Sequence, residues 1–398
     1  MSAAAVNPTV EDLTILVARN CRARHHFDTR NLVLNHPPKF TSKNKQIVYN
    51  ESCPYAEESH TGKLRYAQYT QFQLPKSFNP QAGGTEITGV DGVFQYSPPE
   101  DPIGSVEWHV NFADAYLFGY WKGSLFAQDE SQTLEHPSLC SLQSMLNDGV
   151  PSFLSCTREA DGKPTPVLIR GVERKSYIQT DANPDAGRPY GLYGNRFAHA
   201  SPESVKRALI LLPNPRQGRD GKPYFSNILA MEAPHSGHGE YDISSLMHVL
   251  EIAFTAFLAA RCESFVELGR IEDKPTKLDG WQEKDELPVA VGEVPKEAGE
   301  VVAEVAGKLP STIIHTGNWG CGAYGGNLTV MYLMQMAAAE LAGIDKIVFH
   351  FVNEKQVFSQ AHKLYEDLRV EGGPEMTVHQ FCEKVGKKRF KWGYSDGN

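Results

Sequence analysis

No run of eighteen apolar residues occurs in the 398-residue chain, so no segment reads from sequence as a membrane-spanning helix. The N-terminus, MSAAAVNPTVEDL, lacks the basic and apolar regions of a secretory leader. Positive charge is in deficit. Lys and Arg number 39 against 48 Asp and Glu, for a net charge of -9, which argues against general affinity for nucleic-acid backbone while leaving a local basic groove open. The seven cysteines (Cys21, Cys53, Cys140, Cys156, Cys262, Cys321, Cys382) are far apart and form neither a CxxC pair nor a Cys/His cluster at zinc spacing. They read as reduced thiols, and the expectation is a soluble intracellular protein, cytoplasmic or nuclear. There is no internal repeat, no Gly-Lys-Ser/Thr phosphate loop, and no nucleophile-elbow context at Ser124 or Ser236.

What is present is ordinary globular composition, 41% hydrophobic and 22% charged, long enough for two domains or one large α/β domain with insertions. Residues 1–90 are mixed and polar-rich, with a short helix near Val10–Arg22 capped by Thr9, and read as an accessory region. From Gly89 onward β-forming stretches recur: 106–112, 167–172 and 227–232. Ser201 and Pro202 mark a helix entry, and Ser244–Arg261 is an apolar helix. Residues 269–309 are charged, poor in aromatics and punctuated by Pro and Gly, and read as a surface insertion. The clearest unit comes last. A strand at 312–315 leads into a glycine loop, a helix at Leu328–Leu341 capped by Asn327 and stopped at Gly343, and an almost continuous apolar strand at 346–352. That is a βαβ unit, which requires a parallel sheet flanked by helices.

Two segments carry a chemical argument. The loop Thr316–Asn327 holds five glycines (Gly317, Gly320, Gly322, Gly325, Gly326), which permit left-handed turns and close backbone approach to a ligand. Its amides and the following helix N-terminus suit a diphosphate without any lysine. Trp319 and Tyr324 within it are placed to clamp a ribose or base. A tight strand-to-helix turn with packing glycines would give the same pattern. The second segment is Gln128-Asp129-Glu130. Adjacent acids often form a solvated face, but an acid held near anionic phosphates has its pKa raised and can serve as a general acid. His235, His238 and His248 form either a polar loop or a metal site, and no metal or cofactor is expected. Tyr190 and Tyr193 are loop anchors or an aromatic platform.

Together the two segments resemble the catalytic domain of poly(ADP-ribose) glycohydrolases. In that family a GGG-x(6–8)-QEE loop holds the scissile ribose and TGNWGCGAFGGD follows later in the chain. Thr316–Asn327 is similar to the second stretch at nearly every position, with Tyr324 for Phe and Asn327 for Asp. Val110–Leu117 resembles the family's VDFANKYL, and Phe118–Glu130 follows without a gap. Gln128 keeps the Gln, Asp129 replaces the first Glu, and Glu130 stands at the general acid/base. Phe118-Gly119-Tyr120 stands where the family has its glycine triplet. Phe225–Pro234 resembles the strand ending in AIDAL.

The resemblance implies a macrodomain-like three-layer α/β/α fold with a mixed sheet over 91–398, preceded by an N-terminal accessory lobe at 1–90 and carrying the insertion at 269–309. It implies Glu130 and Asp129 as catalytic residues. The substrate contacts it implies are Gln128, Asp114, Glu100, Gly119, Tyr193, Gly320, Gly322, Ala323, Tyr324, Gly325, Gly326, Asn327 and Phe351, with Glu100 and Phe351 at the adenine and Tyr193 as the lid tyrosine. The implied function is hydrolysis of an ADP-ribosyl O-glycosidic linkage, in poly(ADP-ribose) or a related conjugate, with an ADP-ribosylated substrate as the partner. Two other readings stand beside it. One is a non-catalytic reader of ADP-ribose. The other is a Rossmann-like oxidoreductase, opposed by the late position of the loop and the lack of a ribose-binding acid after it.

Overall fold

The computed structural model describes residues 8–55, 59–78, 84–148, 150–213, 216–218, 221–234, 236–276 and 309–395. Most of the expected insertion at 269–309, and His235, therefore lie outside the described residues. The strands are β1 (Cys21–Asp28), β2 (Lys63–Tyr69), β3 (Glu86–Asp91), β4 (Ser105–Ala113), β5 (Val167–Val172), β6 (Ser176–Ile178), β7 (Leu209–Leu211), β8 (Ser226–Glu232), β9 (Ser311–Thr316) and β10 (Lys346–Phe351). The first helices are α1 (Val10–Asn20), α2 (Thr29–Asn35), α3 (Lys43–Ser52), α4 (Gln128–Glu135), α5 (Ser138–Leu146), α6 (Arg196–His199) and α7 (Pro202–Ala208). After them come α8 (Ile243–Glu267), α9 (Leu328–Ala342), α10 (Lys355–Gly372) and α11 (Val378–Gly386).

Eight strands form one mixed sheet in the order β1-β2-β5-β8-β4-β9-β10-β3. From β8 to β3 every pairing is parallel, whereas β5, β2 and β1 continue the sheet antiparallel. The parallel strands end on one edge, at Glu232, Ala113, Thr316, Phe351 and Asp91. In open α/β sheets that edge is where ligands bind.

Alternation along β4 shows why the sheet is a middle layer. Val106, Trp108 and Val110 face a core filled by α8, α9, α10 and α11. Ala113, with Ile228 and Ala230 of β8, faces a second core with α2 and α5. A small third core (Val48, Phe126, Leu134, Phe197, Val205) lies on the outer side of α4. The layers are those of a macrodomain-like α/β/α fold. Helix α8 is long and apolar enough to cross a membrane, yet its residues are buried against the sheet and α9, as in a core helix apolar on all sides.

The β9–α9–β10 unit follows its sequence signals. Asn327 caps α9 through its carboxamide oxygen, which accepts from the Val330 amide at 3.3 Å, and Gly343 stops the helix at φ 67. Residues 1–90, set apart in the sequence reading as an accessory region, supply β1 and β2 to one end of the sheet and β3 to the other. Their strands are hard to read because they carry charge. Arg24 on β1 and Arg170 on β5 are buried, and both pair with Glu263 of α8. The Tyr69 hydroxyl donates to the same carboxylate at 2.6 Å, and Arg170 reaches Asp273 at 2.8 Å.

Removing the shared anion takes the fully buried carboxylate from two buried guanidiniums and leaves them the more exposed Asp273 and Glu267, a loss of about 3–5 kcal/mol. Glu263→Ala is expected to lower the urea midpoint accordingly. A loss under about 1 kcal/mol would show that this cluster does not clamp β1 and β5 to α8.

Candidate active site

The acid segment opens α4, which lies across the face of β4. Gln128 uses its carboxamide as an extra edge partner for that strand, accepting from the Phe112 amide at 2.8 Å and donating to the Val110 carbonyl at 3.0 Å. Asp129 accepts from the Asn111 side chain at 2.9 Å. Glu130 accepts from the Ala127 amide at 2.9 Å, closing the first turn of its own helix. Both acids are buried, Glu130 at 2% exposure. Burial, followed by the adjacent Glu130 carboxylate, pushes Asp129 up to about 8.

The field of a buried cation acts on them. Lys45 of α3 is fully buried and donates to the Trp121 carbonyl at 3.0 Å. Burial pushes its ammonium down to about 8, opposed by the fields of Glu130 and Asp129. Neither Lys45 nor Asn111 was singled out from sequence. A buried Asn on a strand that otherwise packs apolar residues was the available signal for the second; Lys45 left none.

The turn after β4 answers what becomes of the altered glycine triplet. Phe118 sits in the left-handed region at φ 52, where a side chain costs about 1–2 kcal/mol. Its ring is fully buried in the second core, so it points away from the loop, and Tyr120 turns out to solvent at 57% exposure. An open cleft of about 300 Å³ lies beside them, lined by Asp114, Tyr116, Gly119, Tyr120, Gln143 and Asn147. That is the small end of the range for ligand pockets.

The glycine loop is folded by its own bonds. The Gly326 amide donates to the Gly320 carbonyl at 2.9 Å, and the Gly325 amide to Gly322 at 3.0 Å. A Cβ on Gly326 would meet the Gly320 carbonyl oxygen at 2.7 Å, and one on Gly317 the His350 carbonyl oxygen at 2.5 Å. Glycine is therefore a steric requirement at both. Gly320 and Gly325 have φ of 72 and 63. Among the described residues, the amides of Gly322 and Ala323 have no hydrogen-bond partner. Asn327 both caps α9 and donates to the Lys391 carbonyl at 3.1 Å, and the Gly393 amide donates to Gly325 at 2.7 Å, so the C-terminal segment braces the loop from outside.

The glycine loop is tied to the end of β4: the Tyr324 hydroxyl donates to the Asp114 carboxylate. Beside them Glu232, at the end of β8, is 3.0 Å from Arg158. Burial pushes Glu232 up to about 7, with Arg158 opposing and Asp114 reinforcing. Sequence reading passed over Glu232, although an acid at the C-terminal end of a parallel strand, in a stretch resembling AIDAL, was a usable signal. Tyr193 is half-exposed, and the neighbouring Gly194 amide donates to Phe126 at 2.9 Å, which sets this loop beside the entry to α4.

Three expected ligand contacts are placed elsewhere. Glu100 lies on the segment that returns to the start of β4, where Asp101 caps Gly104 at 2.9 Å, on the sheet edge opposite the glycine loop. Phe351 is 3% exposed and packed at 5.3 Å on Phe358, so its ring belongs to the core. Trp319 is fully buried in that core and cannot clamp a base. In each case sequence position was right for the element but silent on which face the side chain takes.

Residues 213–359 match the family model described as poly(ADP-ribose) glycohydrolase (PARG), Macro domain fold. The match takes in β8, the glycine loop, α9 and β10, and leaves Gln128–Glu130 outside. No curated protein matches the chain. Among solved structures, the chain is similar to the poly(ADP-ribose) glycohydrolase of Thermomonospora curvata, at 13% identity and TM-score 0.30 over 88% of each chain. It is similar also to that of Deinococcus radiodurans in complex with ADP-ribose, at 12% identity and TM-score 0.34 over 91% of this chain and 98% of that one. Those two likenesses are too distant to add weight. On the family match, residues 213–359, with the glycine loop in place, are similar to the catalytic domain of poly(ADP-ribose) glycohydrolases.

Proposed function

We propose that this protein hydrolyses an ADP-ribosyl O-glycosidic bond and releases ADP-ribose. The observation that carries this is the Tyr324–Asp114 hydrogen bond, which ties the glycine loop to the end of β4, the same strand end on which Gln128 and Asp129 are held. The unpartnered amides of Gly322 and Ala323 receive the diphosphate, aided by the N-terminal end of α9. Glu130 protonates the oxygen leaving the anomeric carbon and then takes a proton from water. The diphosphate itself, held by the loop, stabilises the cationic ribosyl transition state. Ordinary glycosidases place a second carboxylate across the bond; here Asp129 sits next to Glu130 and serves the proton inventory of the pair.

A second reading, ADP-ribose binding without turnover, is favoured by the burial of Glu130 and by its bond to its own helix. Poly(ADP-ribose), protein-linked and nucleic-acid-linked ADP-ribose, offered to the full chain, decide between them. Release of ADP-ribose from one of the three is expected. Glu130→Gln should lower turnover by roughly 100- to 10,000-fold and leave ADP-ribose affinity unchanged. Binding with no release from any substrate would establish the reader instead.

The acids also set a pH dependence. Asp129, pushed up by burial and by the adjacent Glu130 carboxylate, keeps its proton until about pH 8 and is the proton reserve beside Glu130. The acid step needs that proton, so turnover is expected to fall as pH rises through about 8. Asp129→Asn removes the like charge and should move the alkaline limb down. Lys45→Met removes a cation that favours the ionised acids and should move it up. Rate-against-pH profiles of the three proteins check this. A limb that stays put in both variants, or moves the same way in both, would sink the assignment.

A further inference from the structure

On the face of the sheet that carries Asn111, β4 and β9 set a group of metal-binding donors side by side. His109 and His315 are register partners, and Glu107 lies two residues earlier on the same face of β4. One donor atom from each of Glu107, His109 and His315 falls within 4.8 Å of the others. We propose that these three residues bind a divalent transition metal of the zinc class, with His350 as the positioning residue behind them.

The spacing between Glu107 and His315 is that of two ligands. Glu107 Oε2 and His315 Nε2 are 3.2 Å apart. Zinc bonds of about 2.0–2.2 Å in tetrahedral geometry hold neighbouring donors about 3.3–3.6 Å apart, close to that spacing. Two lone pairs aimed at one point need a cation between them, either a proton or a metal. With Nε2 on the metal, His315 Nδ1 carries the proton and donates to His350 Nε2, 3.0 Å away. That is the outer hydrogen bond that fixes the tautomer of a ligating histidine.

His109 supplies the independent observation. It is 1% exposed, and its Nδ1 has no hydrogen-bond partner. A buried ring nitrogen left unsatisfied costs free energy unless something else takes its lone pair. Its ring lies stacked on His315 at 4.6 Å and 8°, and one of its ring nitrogens is among the three donor atoms that lie within 4.8 Å of one another. Glu107 and His315 keep 14% and 17% side-chain exposure, which leaves a route for the ion and a fourth position for water. Two histidines, one carboxylate and an open position is a ligand set found for zinc and for other first-row divalent ions.

The site is separate from the acid pair. Glu107 and Asn111 are four residues apart on one strand, about 13 Å. A metal here clips β4 to β9, the two strands whose ends carry Asp114 and the glycine loop.

Equilibrium dialysis of the full chain against zinc tests the proposal, with Glu107→Gln, His109→Phe, His350→Phe and His238→Ala as variants. His238 is exposed on a different loop and serves as the control. Wild type and His238→Ala should bind one zinc with equal affinity. Glu107→Gln and His109→Phe should each weaken it by more than tenfold, and His350→Phe by about 10–100-fold. Circular dichroism and the melting midpoint without metal separate loss of ligand from loss of fold. No zinc bound by wild type, or affinity unchanged in either ligand variant that keeps its fold, overturns the three-ligand site. If a ligand variant unfolds, Glu107→Asp and His109→Asn replace it under the same criteria.

Discussion

Two carboxylates cannot be buried side by side as anions without a proton or a cation to offset them, and this constraint organises the candidate site. Asp129 and Glu130 meet it with three devices: a retained proton, the Asn111 carboxamide on Asp129, and the field of the buried Lys45 ammonium. The Ala127 amide takes one oxygen of Glu130. Each partner comes from a different element, so the protonation state of the pair depends on how β4, α3 and the first turn of α4 are packed. A small displacement of any one changes the field at the acids.

That dependence explains why residues 1–90 are part of the fold. Lys45 is carried by α3 and held by the carbonyl of Trp121, the residue after the Phe118–Tyr120 turn. Trp121 is in turn anchored through its indole N–H on Gln143 at 3.0 Å. Arg24 on β1 reaches the Glu263 carboxylate of the core helix. The N-terminal segment thus delivers one cation to the acid pair and another to the core, while its strands extend the sheet at both ends.

The sequence was most legible where local signals and tertiary packing agree. Asn327 as cap, Gly343 as stop and an apolar strand at 346–351 make the same statement at each level, and the βαβ unit came out within a residue or two at its ends. Strands β1 and β2 were missed because residues such as Arg24 and Arg65 break the apolar alternation that marks a strand; their charges are met by partners hundreds of residues away, which no local pattern encodes. The surroundings of Glu100, Phe351 and Trp319 were not legible for another reason. A resemblance of motifs carries position along the chain, but the direction of a side chain is decided by neighbours such as Phe358, which the motif does not include.

Phe118-Gly119-Tyr120 shows how a turn can hold a left-handed backbone without glycine at its strained position. Phe118 holds φ 52, which glycine would adopt without strain. The strain of about 1–2 kcal/mol is offset because the ring is fully buried among Leu117, Trp121 and Leu139, and burying such a side chain is worth about 1.5–3 kcal/mol. Gly119 follows it, with its own hypothetical Cβ only 3.3 Å from the Tyr116 carbonyl oxygen, so the tightest point of the turn still has no side chain. What changes is the rim. Tyr116 and Tyr120 are exposed beside the cleft, and they set apolar rings where a glycine-rich loop presents bare backbone. The turn thus holds its left-handed backbone without glycine at Phe118, and two exposed aromatic rings, each with an apolar face and a polar tip, line the cleft beside it.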